Sequence, residues 1–192
     1  MGTDKPSLEF QGSSLLQAAA RVMETVCSST ILACGPTERY SELGLALALD
    51  ERADCGAIAG VVAGLAAIKT SHALVIASDM PFLTTEVLSS LVNHARENQL
   101  DACFLSSGEG YEPLCAIYSR RCLPVMRAVL ETGRKQVTAF IDHAQETGIT
   151  LRVDQLVVDG ACLANLNTQD ELARARDVVL AKSNCNRSAG PR

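Results

Sequence analysis

The stretch from Ala73 to Pro81 constrains the fold of this chain more than any other. An apolar run, Ala73-Leu74-Val75-Ile76-Ala77-Ser78, is closed by Asp79-Met80-Pro81, and a helical pattern begins near Thr84. A run of this length between turn signals predicts a buried strand in a parallel sheet. Pro81 ends the ladder, because it has no N–H and a fixed φ. Asp79 then stands at a strand's carboxyl end, where open α/β sheets bind ligands. A carboxylate held there by a rigid turn suits a Mg²⁺ ligand; the same segment also fits a helix-capping Asp.

The rest of the chain alternates in the same way. Leu15, Leu16, Ala19, Met23 and Val26 share one face of a helix predicted over residues 13–26. Thr30 to Ala33 reads as a strand ending at Cys34-Gly35-Pro36, and Leu45 to Leu49 as a second ending at Asp50. Ala57 to Ile68, rich in Ala and Gly, predicts a helix able to lie close on a sheet. The helix after Thr84 buries Val87, Leu88, Leu91, Val92 and Ala95. Further strands are expected at 101–105, 114–118, 150–153 and 162–166, with helices at 121–130 and 137–146. A last helix opens at Thr168 and Glu171 in capping-box spacing. Strands alternating with crossover helices imply a three-layer α/β sheet, mostly parallel. One domain is expected over residues 1–182, with 183–192 a tail lacking any apolar period.

Composition excludes several partners. Aromatics make up 4% of the 192 residues, Trp is absent and the formal charge is −5, which argues against a nucleic-acid partner. No apolar stretch approaches the roughly 20 residues of a membrane span. The eight cysteines form no C-x-x-C pair and scatter through apolar segments, as core fillers do in a reducing compartment. Met1 to Gly12 is polar and carries no signal-peptide pattern. A cytoplasmic protein is the expectation.

Four stretches would meet along one edge of such a sheet. Lys5, in the turn after Gly2, can neutralise phosphate oxygens or be only a solvated terminal lysine. Asp50 precedes a loop to Gly56, which opens a helix whose unpaired N–H groups suit an anion. Gly56, Gly60 and Gly64 equally suit tight helix–sheet packing. Asp79 is the third. Asn165 and Asn167 alternate along an extended segment, so both amides face one side; Asn167 also fits a turn. Glu112, before Pro113, adds a carboxylate at a strand start. His72, His94 and His143 are isolated, and no nucleophile motif appears.

In order, Met1-Gly2-Thr3-Asp4-Lys5-Pro6 to Gly12, Asp50 to Gly60, Asp79-Met80-Pro81-Phe82-Leu83, Glu112-Pro113-Leu114 and Asn165-Leu166-Asn167-Thr168 resemble the molybdenum cofactor guanylyltransferase family. This is the MobA-like branch of the nucleotidyltransferases, and the resemblance spans about Met1 to Val179. It implies a Rossmann-like nucleotidyltransferase fold. It also implies Mg²⁺-dependent transfer of GMP from GTP to molybdopterin, with pyrophosphate released. By the resemblance, Asp79 would hold Mg²⁺ and Lys5 would offset charge toward the leaving group. Asp50, Gly56 and Gly60 would line the nucleotide pocket. Glu112, Asn165 and Asn167 would face the second substrate. Transient contact with molybdopterin-handling or molybdoenzyme proteins would follow. Related readings are a CTP-, sugar-phosphate- or phospholactate-type transferase, or a non-catalytic cofactor-binding member.

Three departures from the family pattern stand out. The family signature Leu-Ala-Gly-Gly-x-Ser-x-Arg-Met-Gly-x-Asp-Lys is met only from its Met, so the glycine-rich loop and the first strand are missing. Loss of a central strand would leave unpaired neighbours and an apolar slot. Two readings stand: a start some 15–20 residues upstream, from ordinary strand and loop lengths, or a degenerate member. Cys34 replaces a polar nucleotide contact, commonly Asn, with a weakly bonding thiol. Gly56-Ala57-Ile58-Ala59-Gly60 lacks the family's Pro at the helix start but keeps both glycines.

Overall fold

The computed structural model describes residues 8–10, 12–108 and 110–165. Lys5, Asn167, the helix expected from Thr168 and the tail lie outside them. The first elements among the described residues are an antiparallel ribbon of β1 (Glu9–Phe10) and β2 (Ser13–Ser14). Ser14 then caps α1 (Leu15–Glu24): its Oγ accepts the Gln17 N–H at 3.1 Å, and the Gln17 side chain accepts the Ser14 N–H at 3.1 Å. This reciprocal box satisfies two N–H groups that would otherwise lack partners. Then come β3 (Ile31–Ala33), β4 (Ala46–Ala48), α2 (Ala57–Ala67), β5 (His72–Ile76) and α3 (Thr85–Glu97), with Thr84 as the α3 cap. The second half is β6 (Ala102–Ser106), β7 (Tyr111–Ser119), α4 (Cys122–Glu131), α5 (Ala139–Glu146) and β8 (Val153–Val157).

Alternation along β6 and β7 builds the layers. Ala102 and Phe104, with Ala116 and Tyr118, face α2, α4 and α5 in one apolar cluster. Cys103 and Leu105, with Cys115 and Ile117, face Met23 of α1 and Leu88 and Leu91 of α3. Successive strand residues point to opposite faces, so one sheet serves two cores. The α/β class and its helix-covered sheet are as the sequence implies. Asp101, 4% exposed, locks the amino-terminal end of this sheet. Its carboxylate accepts Arg121 Nη1 at 3.0 Å on each oxygen and the Arg152 N–H at 2.9 Å.

The sheet departs from the expected regularity in four places. First, the order β5-β7-β6-β8 places β7 antiparallel between β5 and β6, whereas β6 and β8 are parallel. Periodicity reports which faces are buried, not strand direction. Second, the register shifts so that Phe104 pairs with Ala116 and Leu105 with Glu112, leaving 113–115 without a partner on β6. Pro113, which cannot donate, sits in that bulge. Third, β8 starts at Val153, not near Thr150. Fourth, residues 160–163 form a 3₁₀ turn where a strand was expected from Cys162. The Asp159 carboxylate accepts the Ala161 N–H at 2.9 Å, and this local bond captures the backbone.

The largest departure concerns β3 and β5. Among the described residues β3 pairs only with β4, in parallel, and β5 only with β7. Among the described residues no strand lies between them, although α2 packs on β3, β4 and β5 together. Ala73 to Ile76 is therefore only partly buried, and its one described partner is antiparallel; the buried parallel strand read from this run is corrected on both counts. Among the described residues a cavity of about 620 Å³ lies between β3 and β5.

Candidate active site

α2 leads from the carboxyl end of β4 to the amino end of β5, so those strands point the same way. β7 runs opposite to β5, which brings the start of β7 to the end of β5: the Ala77 N–H donates to the Leu114 carbonyl at 2.7 Å. One sheet edge thus gathers Cys34, Asp50, Gly56, Asp79 and Glu112.

Asp79 follows β5 on a turn anchored by buried Met80 and Leu83. The turn feeds α3, where the Thr84 hydroxyl accepts the Val87 N–H at 3.4 Å. Asp79 is half-buried and makes no hydrogen bond or ion pair among the described residues, so the capping role belongs to Thr84 and not to Asp79. Glu112 is the neighbouring charge. Burial raises its carboxyl above the ordinary value, the Leu114 N–H at 3.4 Å pulls it back, and the charge of Asp79 adds to the rise. The charge of each carboxylate disfavours ionisation of the other, a repulsion that a divalent cation would relieve. Among the described residues no group of three His, Cys, Asp or Glu side chains converges. A Mg²⁺ ion needs no such cage, since one or two carboxylates with substrate phosphates and water complete its shell. The Asp79–Glu112 pair fits that requirement.

Asp50 approaches from the other side. Its Oδ1 is buried without a partner among the described residues and lies 3.9 Å from where a Cβ on Gly60 would stand. Burial raises the Asp50 carboxyl. The loop after it is fastened to α4: Glu51 pairs with Arg127, and Arg52 Nη1 reaches the Leu130 carbonyl at 3.4 Å. Gly56 caps α2 at φ +71°, and a Cβ there would sit 3.3 Å from the Lys135 Cβ and carbonyl oxygen. Glycine is required at that position. Gly64 is different, since a Cβ there meets nothing within 4 Å. Tight packing therefore explains Gly56 but not Gly64. The Cys34 thiol is buried, with its Sγ 3.9 Å from the Ala48 carbonyl.

Asn165 lies beyond the 3₁₀ turn, exposed and outside any strand, so the strand alternation argued for it and Asn167 does not hold at its described end. None of the histidines enters this edge: His72 bonds the Leu100 carbonyl at 3.2 Å and His94 pairs with Asp154 at 2.9 Å. Lys135 was missed by the sequence reading, because only the fold brings residue 135 against Gly56.

The sequence pattern of the MobA-like NTP transferase domain matches residues 1–149. A probable molybdenum cofactor guanylyltransferase of Chloroflexus aggregans is 32% identical, over 89% of this chain and 85% of its own length. A molybdenum cofactor guanylyltransferase of Desulfosudis oleivorans is 28% identical over 94% of this chain and 89% of its own. Among solved structures, the molybdopterin-guanine dinucleotide biosynthesis protein A of Archaeoglobus fulgidus superposes with a TM-score of 0.75 at 23% identity, covering 94% of this chain and 92% of its own. The 2-C-methyl-D-erythritol 4-phosphate cytidylyltransferase of Thermus thermophilus gives 0.67 at 15% identity, covering 91% and 93%. At these identities the structural likeness speaks to the fold alone.

Proposed function

The chain belongs to the MobA-like NTP transferase family and is a nucleotidyltransferase, and from that premise we propose that it transfers GMP from GTP to molybdopterin. The relatives named above support the choice of substrates. The observation that carries the reading is the Asp79 carboxylate, without a hydrogen-bond or ion-pair partner among the described residues and close enough to Glu112 to raise its carboxyl, on the edge where the α2 amino terminus and Asp50 also lie. In the proposed reaction a phosphate oxygen of molybdopterin attacks the α-phosphorus of GTP. The bond to the bridging oxygen breaks, and pyrophosphate leaves. Positioning and charge neutralisation supply most of the rate.

Asp79, with Glu112 beside it, would hold Mg²⁺. When bound, that ion neutralises phosphate charge and lowers the cost of the crowded transition state. Asp50 and the α2 start from Gly56 to Gly60 would meet the nucleoside and phosphates, where the backbone N–H groups favour anions. Lys5 is assigned the charge on the departing pyrophosphate, and Asn165 and Asn167 the pterin side. Transient exchange with molybdopterin-handling and molybdoenzyme proteins, in the cytoplasm, belongs to the same proposal. Among the described residues no helix is long and apolar enough to cross a membrane.

Pyrophosphate release from GTP, with molybdopterin and Mg²⁺ present, tests the reading. Asp79→Asn should lower the rate by about 100-fold or more, by analogy with loss of one transition-state contact, while leaving the circular dichroism unchanged. Full activity in that variant removes Asp79 from the site, and a preference for CTP over GTP overturns the base assignment. The second reading is a member that binds the cofactor without turnover. Molybdopterin binding with no pyrophosphate release would select it.

A further inference from the structure

The chain holds four Phe, three Tyr and no Trp, yet four of these rings form one continuous row. Phe140 of α5 meets Tyr118 of β7 edge-on at 6.0 Å, and Tyr118 meets Phe104 of β6 edge-on at 5.8 Å. Phe104 then stacks on Tyr111 at 4.6 Å, with the two planes 20° apart. Phe140, Tyr118 and Phe104 are fully buried, whereas Tyr111, the last ring of the row, is 46% exposed. The Tyr118 hydroxyl donates to the Pro113 carbonyl at 2.7 Å, inside the bulge that carries β7 out to Tyr111. With one ring face pressed on Phe104, Tyr111 turns the other outward, and the row behind it fixes its orientation.

The exposed ring stands at the candidate active site. Tyr111 precedes Glu112 on β7, one strand rise of about 3.3 Å away. Across the ladder it pairs with Ser106, which also pairs with Val157 of β8. The turn between β6 and β7 lies against the segment that leads to Asn165, since a Cβ on Gly160 would stand 3.4 Å from the Ser107 Cβ. Asp50 and the start of α2, which take the nucleotide in the reading above, follow β4 in the other sheet. β5 is the strand of the four-stranded sheet that faces β3, so Asp79 stands between that nucleotide end and Tyr111.

We propose that Tyr111 is the stacking platform for the flat heteroaromatic ring of the second substrate, the pterin of molybdopterin. The pterin lies on the open ring face, with its phosphate directed toward the α-phosphorus of GTP. The inference rests on the nucleotidyltransferase reading given above and adds a specificity-determining residue to it. Face-to-face stacking tolerates the polar edge of a pterin, because only the π-faces meet. A ring already held by Phe104 loses little rotamer freedom on binding. A mere cover for Phe104 needs apolar bulk and no ring, so leucine separates the two roles.

Molybdopterin binding by equilibrium dialysis without GTP, together with the KM of each substrate, tests the inference on the whole chain. Tyr111→Leu should weaken molybdopterin binding and raise its KM about tenfold or more, with the KM for GTP within about twofold of the parent's. Its circular dichroism should match that of the parent. Tyr111→Trp should restore molybdopterin binding. Because the chain has no other Trp, the fluorescence of that variant should be quenched saturably by molybdopterin and not by GTP alone. A leucine variant that binds molybdopterin as tightly as the parent overturns the inference. Parallel loss of both substrates marks a structural role and overturns it too, and quenching by GTP alone assigns the ring to guanine against it. A parent that binds no molybdopterin overturns the substrate reading and this inference together. A parent that binds it without releasing pyrophosphate overturns the transfer reaction alone, and dialysis and quenching, which need no turnover, still decide the stacking.

Discussion

The two-stranded β3–β4 sheet and the four-stranded sheet both pack against helices but differ in lateral pairing. β6 lies between β7 and β8, and all five of its residues are buried. Among the described residues β3 has one neighbour, and none of its three residues is buried; Ala33 is exposed. β5, also paired on one side, is nowhere fully buried despite an apolar sequence as strong as that of β6. A second neighbour in the sheet favours burial of a strand, because it removes the backbone edge from water and closes the side-chain rows.

The sharpest test of this contrast compares core truncations. Phe104 is fully buried and stacks on Tyr111 at 4.6 Å and edge-on to Tyr118 at 5.8 Å. Phe104→Ala should cost about 3–5 kcal/mol in urea unfolding. Leu32→Ala, in partly exposed β3, should cost about 1 kcal/mol, since little of its surface leaves water on folding. Equal losses would break the comparison.

The glycines of α2 sharpen it. Gly56→Ala should destabilise by about 1–2 kcal/mol, because it forces a side chain into the left-handed region against Lys135. Gly64→Ala should stabilise by up to about 1 kcal/mol, as helix propensity improves and the slot accepts the methyl. Thermal unfolding of the two variants distinguishes a cap that requires glycine from a helix face with nothing to pack on.

The smallest effect concerns the site edge. Glu112 holds its proton more tightly when folded than unfolded. Stability should therefore fall as pH climbs from the ordinary carboxylate value to the raised one. Glu112→Gln should raise the Tm by about 1–2 °C at neutral pH, the modest figure reflecting solvent screening of a half-exposed group. Below the ordinary carboxylate value the variant and the parent should coincide. A drop in Tm at neutral pH would mean the carboxylate is stabilised by a cation or donor, contrary to its surroundings.

Local signals were legible in the sequence where local chemistry fixes the structure. The Ser14–Gln17 box, the Thr84 cap and the apolar faces of α1 and α3 were readable because their partners lie three or four residues away. β8 was misplaced because its start is set by Asp101, 51 residues distant, which takes the Arg152 N–H. β7 gave no sign of its antiparallel course, since a buried strand has the same pattern in either direction. For the site, Asp50, Gly56 and Asp79 were legible as strand-end and helix-start positions. The nearness of Glu112 to Asp79 was not, because it depends on the direction of β7. The gap beside β5 was foreseen only through family resemblance; the run Ala73 to Ser78 by itself reads as fully buried.

Amide exchange along β5, resolved residue by residue by NMR on the unliganded chain, tests the interrupted sheet most directly. Protection at Ala73, Val75 and Ala77, with fast exchange at Leu74 and Ile76 and slow exchange throughout β6, is the expected pattern. Uniform protection from Ala73 to Ala77 would show β5 paired on both edges and contradict the account.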